Sequence, residues 1–89
     1  MKVKGKLENG FEYEVDDVVL NDYEMLEAIA EAQSTNPLKI TTVVDKLLGS
    51  EQKERLKDYI REEDGRVPIE AITQSVVTIL QDIGDEGKN

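Results

Sequence analysis

Residues 2–16 read KVKGKLENGFEYEVD, and this stretch decides how the chain begins to fold. Apolar or small residues alternate with Lys before the central ENG and with acids after it, which is the period-two pattern of half-buried β-strands. A three-residue loop, 8–10, brings apolar residues opposite each other on one face and Lys opposite acid on the other. The predicted pairs are Leu7–Phe11, Gly5–Tyr13, Val3–Val15, Lys6–Glu12, Lys4–Glu14 and Lys2–Asp16. We therefore predict an antiparallel hairpin in which Gly10 takes the left-handed loop position.

The chain beyond the hairpin has the spacing of amphipathic helices. A lone hairpin is marginal in water, so its apolar face requires helices to pack on. Apolar residues at helical spacing and capping signals predict four helices, at about 22–32, 37–48, 51–63 and 69–83. The signals are Asn21 with Glu24, Asn36 with Pro37, Gly49 with Ser50, and Asp64 with Gly65. The sequence thus predicts one α+β domain over 1–84, a hairpin followed by four helices, with a disordered tail at 85–89.

The amino-acid composition argues against several classes of function. The 89 residues include 20 acidic and 11 basic side chains, a net charge of −9, and neither His nor Cys. A chain this acidic lacks the basic surface that binds nucleic acid or an anionic membrane. Without His and Cys it also lacks the usual general base and the usual zinc ligands. We therefore predict a protein that is not an enzyme and that binds neither nucleic acid nor a membrane.

Three features could carry chemistry, and each has a simpler interpretation. The segment 60–71 can be aligned with a calcium-binding loop, but Ile60 and Ala71 then occupy the positions that require carboxylates. Ser50 lacks the Asp-Ser-Leu setting of a phosphopantetheine site and is expected to cap a helix. The acid pairs at 16–17 and 62–63 are expected to be solvated charges. We predict no catalytic, cofactor-binding or metal-binding residue.

Two surfaces are candidates for binding a partner. The predicted last helix is apolar over a wide arc and rich in β-branched residues, which are poor helix formers. Its candidate residues for association with a partner or with a second copy are Ile72, Val76, Val77 and Leu80. The predicted first helix carries the second candidate surface, an acidic face for basic segments of a partner, formed by Glu24, Glu27 and Glu31.

Four stretches carry a resemblance to a known family. They are GFEYEVD at 10–16, YEMLEAIAE at 23–31, LLGSEQ at 47–52 and EDGRVPIE at 63–70. In this order and spacing, from about residue 4 to residue 83, the chain resembles the small tail assembly chaperones of long-tailed, non-contractile bacteriophages and related prophages. Pro68 departs from the family pattern, which has Ser or a similar capping residue there.

The resemblance implies a non-enzymatic role in the cytoplasm of a bacterial host. Such chaperones bind the tape measure protein, a long and largely helical chain, and keep it soluble until the tail protein polymerises around it. The implied partners are the tape measure protein and the tail tube protein. The alternative, suggested by nine acids without a base over residues 8–32, is a small acidic regulator or inhibitor that mimics nucleic acid. The N-terminus has no continuous apolar region, so neither a secretory signal nor a membrane span is expected.

Overall fold

A computed structural model, which describes residues 1–86, begins with the predicted hairpin. Strands β1 (Lys2–Lys6) and β2 (Glu12–Asp16) pair antiparallel, with all five of their residue pairs in the predicted register. The loop is also as predicted, because the Leu7 N–H donates to the Phe11 carbonyl at 2.9 Å and Gly10 has a φ of 97°. Alternation of side chains, together with the pairing of Lys with acids across the strands, was therefore sufficient to predict the register.

Within residues 1–86, three α-helices follow the hairpin, where the sequence predicted four. They are α1 (Tyr23–Gln33), α2 (Ile40–Ile60) and α3 (Ile69–Glu86), with 3₁₀ helices at Asp17–Asn21 and Pro37–Lys39. The α+β class is confirmed, but the predicted helices 37–48 and 51–63 are joined in one element, α2, which is kinked at Gly49. Within α2 only Gly49 is non-helical, with φ 75° and ψ 168°. The Gln52 side-chain amide donates to the Leu48 carbonyl at 2.9 Å and so connects the two helical segments across the kink.

The ends of all three helices differ from the prediction. Helix α2 ends at Ile60, where the sequence predicted about 63. The cap of α1 is Asp22 rather than Asn21, and its carboxylate accepts from the Glu24 N–H at 3.0 Å. The start moves by one residue because Asn21 belongs to the 3₁₀ helix that follows β2 directly. Helix α3 continues to Glu86, two residues into the predicted tail, and the rest of that tail, 87–89, lies outside the described residues. The cap at Asn36 is confirmed, although it begins a 3₁₀ helix.

One core joins the hairpin to all three helices. Its largest fully buried side chains come from the hairpin and from each helix, and they are Phe11, Met25, Leu56, Ile79, Ile83 and Val43. The outer edge of β2 is fixed to α2, because the Gln52 amide accepts from the Glu14 N–H at 2.8 Å and donates to the Glu14 carbonyl at 2.9 Å. The hairpin is therefore held through its apolar face and also along one edge.

Gly5 leaves space for the ring of Tyr13, and this close packing gives a testable prediction. A Cβ atom on Gly5 would overlap that ring, whose hydroxyl donates to Asp82 of α3 at 2.8 Å. We expect Gly5→Ala to lower the free energy of unfolding by about 1–3 kcal/mol, because the ring must move out of a packed site. Urea denaturation measures this change.

The control is the same substitution in a Tyr13→Val background. The loss caused by Gly5→Ala should become much smaller there, because the ring that occupies the space is absent. An equal loss in both backgrounds would show that the Tyr13 ring is not the cause.

Candidate functional site

An apolar groove opens between α1 and α3, with the start of α2 as its floor. It encloses about 150 Å³. Its principal lining residues are Ile29 of α1, Ile40 of α2, and Ile69, Val76, Val77 and Leu80 of α3. Because no titratable side chain is among its lining residues, the groove offers apolar contact and no group for proton transfer.

Three of the four predicted residues of α3 meet in this groove. Val76 is only 2% exposed and forms part of the core, whereas Val77 is 36% exposed and accessible to a partner. Leu80 is half-buried. Ile72 lies elsewhere, in a separate hollow that it lines with Val44 and Val67. The structure thus divides the predicted surface between core, groove and a second hollow.

The sequence did not identify the other side of the groove. Ile29 and Ile40 are half-buried, pack against the core and also line the groove. Ile69, the first residue of the predicted helix 69–83, also lines the groove and is 75% exposed. Leu26 is 61% exposed and precedes Ile29 by three residues, so it extends the apolar surface along the same side of α1. The sequence did contain one signal for the exposure of Ile69, because this apolar residue stands at the first position of its helix.

The acidic face of α1 points away from the groove. At 100° per residue, the positions of Glu24, Glu27 and Glu31 lie about 140–160° around the helix axis from that of Ile29. Glu24 and Glu27 are exposed, whereas Glu31 is half-buried and lies 3.8 Å from the Lys39 ammonium. The two predicted binding surfaces are therefore separate.

The acid pairs considered for chemistry take part in local structure. The Asp16 carboxylate accepts from the Val18 N–H at 3.2 Å, and this bond, together with the N-terminal ammonium, holds the pKa of Asp16 below its ordinary value. Glu62 lies 3.9 Å from Arg66, a long ion pair at the surface. Among residues 1–86, acidic side chains do not form any group of three or more that could hold a metal ion.

Two further observations concern the apolar character of the helices and the similarity of the chain to known proteins. No helix within the described part of the chain combines the length and the apolar character needed to cross a membrane. Searches of protein-family models, of curated proteins and of solved structures find no match to this chain.

Proposed function

We propose that this protein is a non-enzymatic chaperone that covers an apolar helical segment of a tape measure protein during phage tail assembly. The observation that carries the proposal is the apolar groove, whose wall residue Ile69 is 75% exposed. Contiguous apolar surface of this kind is a mark of interaction sites, because leaving it in water is unfavourable.

The groove coincides with parts of the sequence that resemble the chaperone family. The stretch 23–31 lies in α1 and supplies Ile29, and the stretch 63–70 ends in the first turn of α3 and supplies Ile69. The stretch 47–52 contains Gly49, the non-helical residue of α2. Two of the four stretches therefore contribute lining residues, which supports a shared binding surface as the basis of the resemblance.

A chaperone of this type competes with the self-association of its partner. An apolar segment of a long helical chain associates with other copies unless another surface covers it first. A small domain with a net charge of −9 resists association with its own copies and can remain at the concentration that such competition requires.

Co-expression tests the proposal. The tape measure protein of the same genome is produced alone and together with the full chain, and its soluble fraction is measured after centrifugation. We expect the soluble fraction to rise several-fold, on the order of 3–10, and the two proteins to elute together, because the covered segments no longer aggregate. The tail tube protein, as the second implied partner, is tested in the same way. A tape measure protein that stays equally insoluble with and without this chain contradicts the proposal.

A further inference from the structure

The two edges of the hairpin differ in what covers them. The outer edge of β2 is covered by side chains of α2, because the Gln52 amide bonds to both backbone groups of Glu14. The Arg55 guanidinium also donates to the Glu12 carbonyl, at 3.4 Å. Since these backbone groups already have partners, a further strand could join the hairpin only at β1.

The outer edge of β1 is open. The Leu7 N–H donates to the Phe11 carbonyl at 2.9 Å, and the alternation of an antiparallel ladder then assigns the odd-numbered residues of β1 to the bonds with β2. The outward N–H and C=O groups belong to Lys2, Lys4 and Lys6, all of which are exposed. Within residues 1–86, no hydrogen bond reaches these groups. Strand β1 therefore offers a row of free donors and acceptors to an added strand.

A hollow adjoins the loop end of β1. It encloses about 350 Å³ and is lined by Leu7 and Glu8 of the hairpin and by Ala71, Gln74 and Thr78 of α3. Every second side chain of an added strand points to this side of the sheet, so the hollow can receive one of them. Glu8 disfavours an acid here, so the side chains on this side should be uncharged.

The Lys side chains of β1 determine the charge of the other face of the added strand. That strand lies about 4.8 Å from β1 and about twice as far from the acids of β2. Lys4 lies 3.6 Å from Glu14, yet its side chain remains 79% exposed. Acids opposite the Lys residues therefore form favourable pairs, of the kind already present between β1 and β2.

The same geometry argues against a second copy as the occupant. With the edge of β2 covered, a second copy could contribute only its own β1. In an antiparallel pair, the residues that exchange hydrogen bonds lie directly opposite each other, and here these would be Lys on both strands. Like charges directly opposite each other are destabilising.

We infer that the outer edge of β1 binds an extended segment of another protein in which acids alternate with uncharged residues. The acids lie opposite Lys2, Lys4 and Lys6, and the uncharged side chains face α3. This binding surface does not depend on the proposed function, because the apolar groove lies between α1 and α3 and is not lined by the hairpin.

Three synthetic peptides with blocked ends test this inference by fluorescence anisotropy with the full chain. Each has about seven residues, slightly more than the five of β1. In the first, Glu alternates with Val and Thr; the second has Lys in place of Glu; the third has the composition of the first with its Glu residues consecutive. We expect the first to bind at least about tenfold more tightly than the others. The net charge of −9 by itself favours the basic peptide, so long-range attraction cannot produce this order.

Substitutions at Lys4 test the pairing of the backbone. Lys4→Pro removes one outward N–H, and an edge strand tolerates Pro where that N–H faces solvent. Lys4→Thr removes the same charge and keeps the N–H. We expect Lys4→Pro to weaken binding of the first peptide at least about tenfold and Lys4→Thr only about threefold. Thermal unfolding establishes that each variant is folded, and Lys2→Pro, at the first position of the strand, repeats the test at a second site.

A charge reversal locates the surface. We expect Lys4→Glu to weaken binding of the first peptide at least about tenfold. Lys46→Glu is the matched control, since Lys46 also forms a surface ion pair of 3.6 Å, with Asp22, away from the hairpin. It should leave the affinity within about twofold.

Four comparisons can overturn the inference. They are equal or tighter binding of the basic peptide, equal binding of the first and third peptides, equal weakening by Lys4→Pro and Lys4→Thr, and equal weakening by Lys4→Glu and Lys46→Glu. Sedimentation tests the other occupant, because a wild-type dimer that becomes monomeric in Lys4→Pro would place a second copy at this edge and would also overturn the inference. Co-expression with the tape measure protein does not test this edge, so either proposal can fail alone.

Discussion

Replacing Phe11 with Ala is expected to lower the free energy of unfolding by about 3–5 kcal/mol, because it empties a fully buried aromatic site. The Phe11 ring meets Tyr59 of α2 edge to face, with ring centroids 5.6 Å apart, and the Arg55 guanidinium lies 5.4 Å from its centroid. A domain of 89 residues has a total stability of roughly 4–13 kcal/mol. The loss is therefore a large part of the total.

Chemical denaturation followed by circular dichroism measures this loss. Tyr59→Ala is the matched control, since it removes the other ring of the same pair from a residue that is 52% exposed. We expect it to cost about 0.5–1.5 kcal/mol, the range for an aromatic contact. If both variants lose the same small amount, burial of Phe11 is not what joins the hairpin to α2.

Replacing Gly49 with Ala is expected to lower the free energy of unfolding by about 1–3 kcal/mol, although the site has open space. A Cβ atom on Gly49 would meet nothing within 4 Å, so the cost is not steric contact with a neighbour. It comes from the backbone, because φ 75° and ψ 168° belong to a region that residues other than glycine almost never adopt. The variant must accept this strain or become helical at 49, which changes how Leu56 and Val43 face the core.

Gly84→Ala provides the control for this second prediction. A Cβ atom on Gly84 also meets nothing within 4 Å, but Gly84 lies within α3 and has no positive φ. The same substitution should therefore raise the free energy of unfolding by about 0.5–1 kcal/mol. Urea denaturation of the two variants should give changes of opposite sign. A loss at both positions would indicate an effect of Ala that does not depend on backbone conformation.

The helix count shows where a local pattern is ambiguous. Gly49 followed by Ser50 is typical of one helix ending and another beginning, and the sequence therefore predicted two helices with a connection. The backbone does leave helical geometry at Gly49, but for one residue only, and the Gln52 side chain satisfies the Leu48 carbonyl across it. Whether a glycine ends a helix or bends it depends on the directions in which both segments pack, and those are set by the core.

The groove was predicted only in part, for a related reason. Periodicity placed Val76, Val77 and Leu80 on one arc of the last helix, and all three line the groove. The arc also included Ile72, which lines a different hollow together with Val44 of α2. Ile29 and Ile40 belong to other helices, and no spacing along the chain relates them to Val77.

The sequence by itself determined the hairpin, its register and its loop, because alternation of side chains and opposite charges act between residues that are close along the chain. It also determined where the helical segments occur, since their periodicity is local. Only the tertiary structure decided which apolar residues remain in contact with solvent, such as Ile69 and Leu26, and which acids are separated from them. That choice depends on how far each helix extends over its neighbours, and the free energy of burial is summed over contacts between residues distant in the sequence.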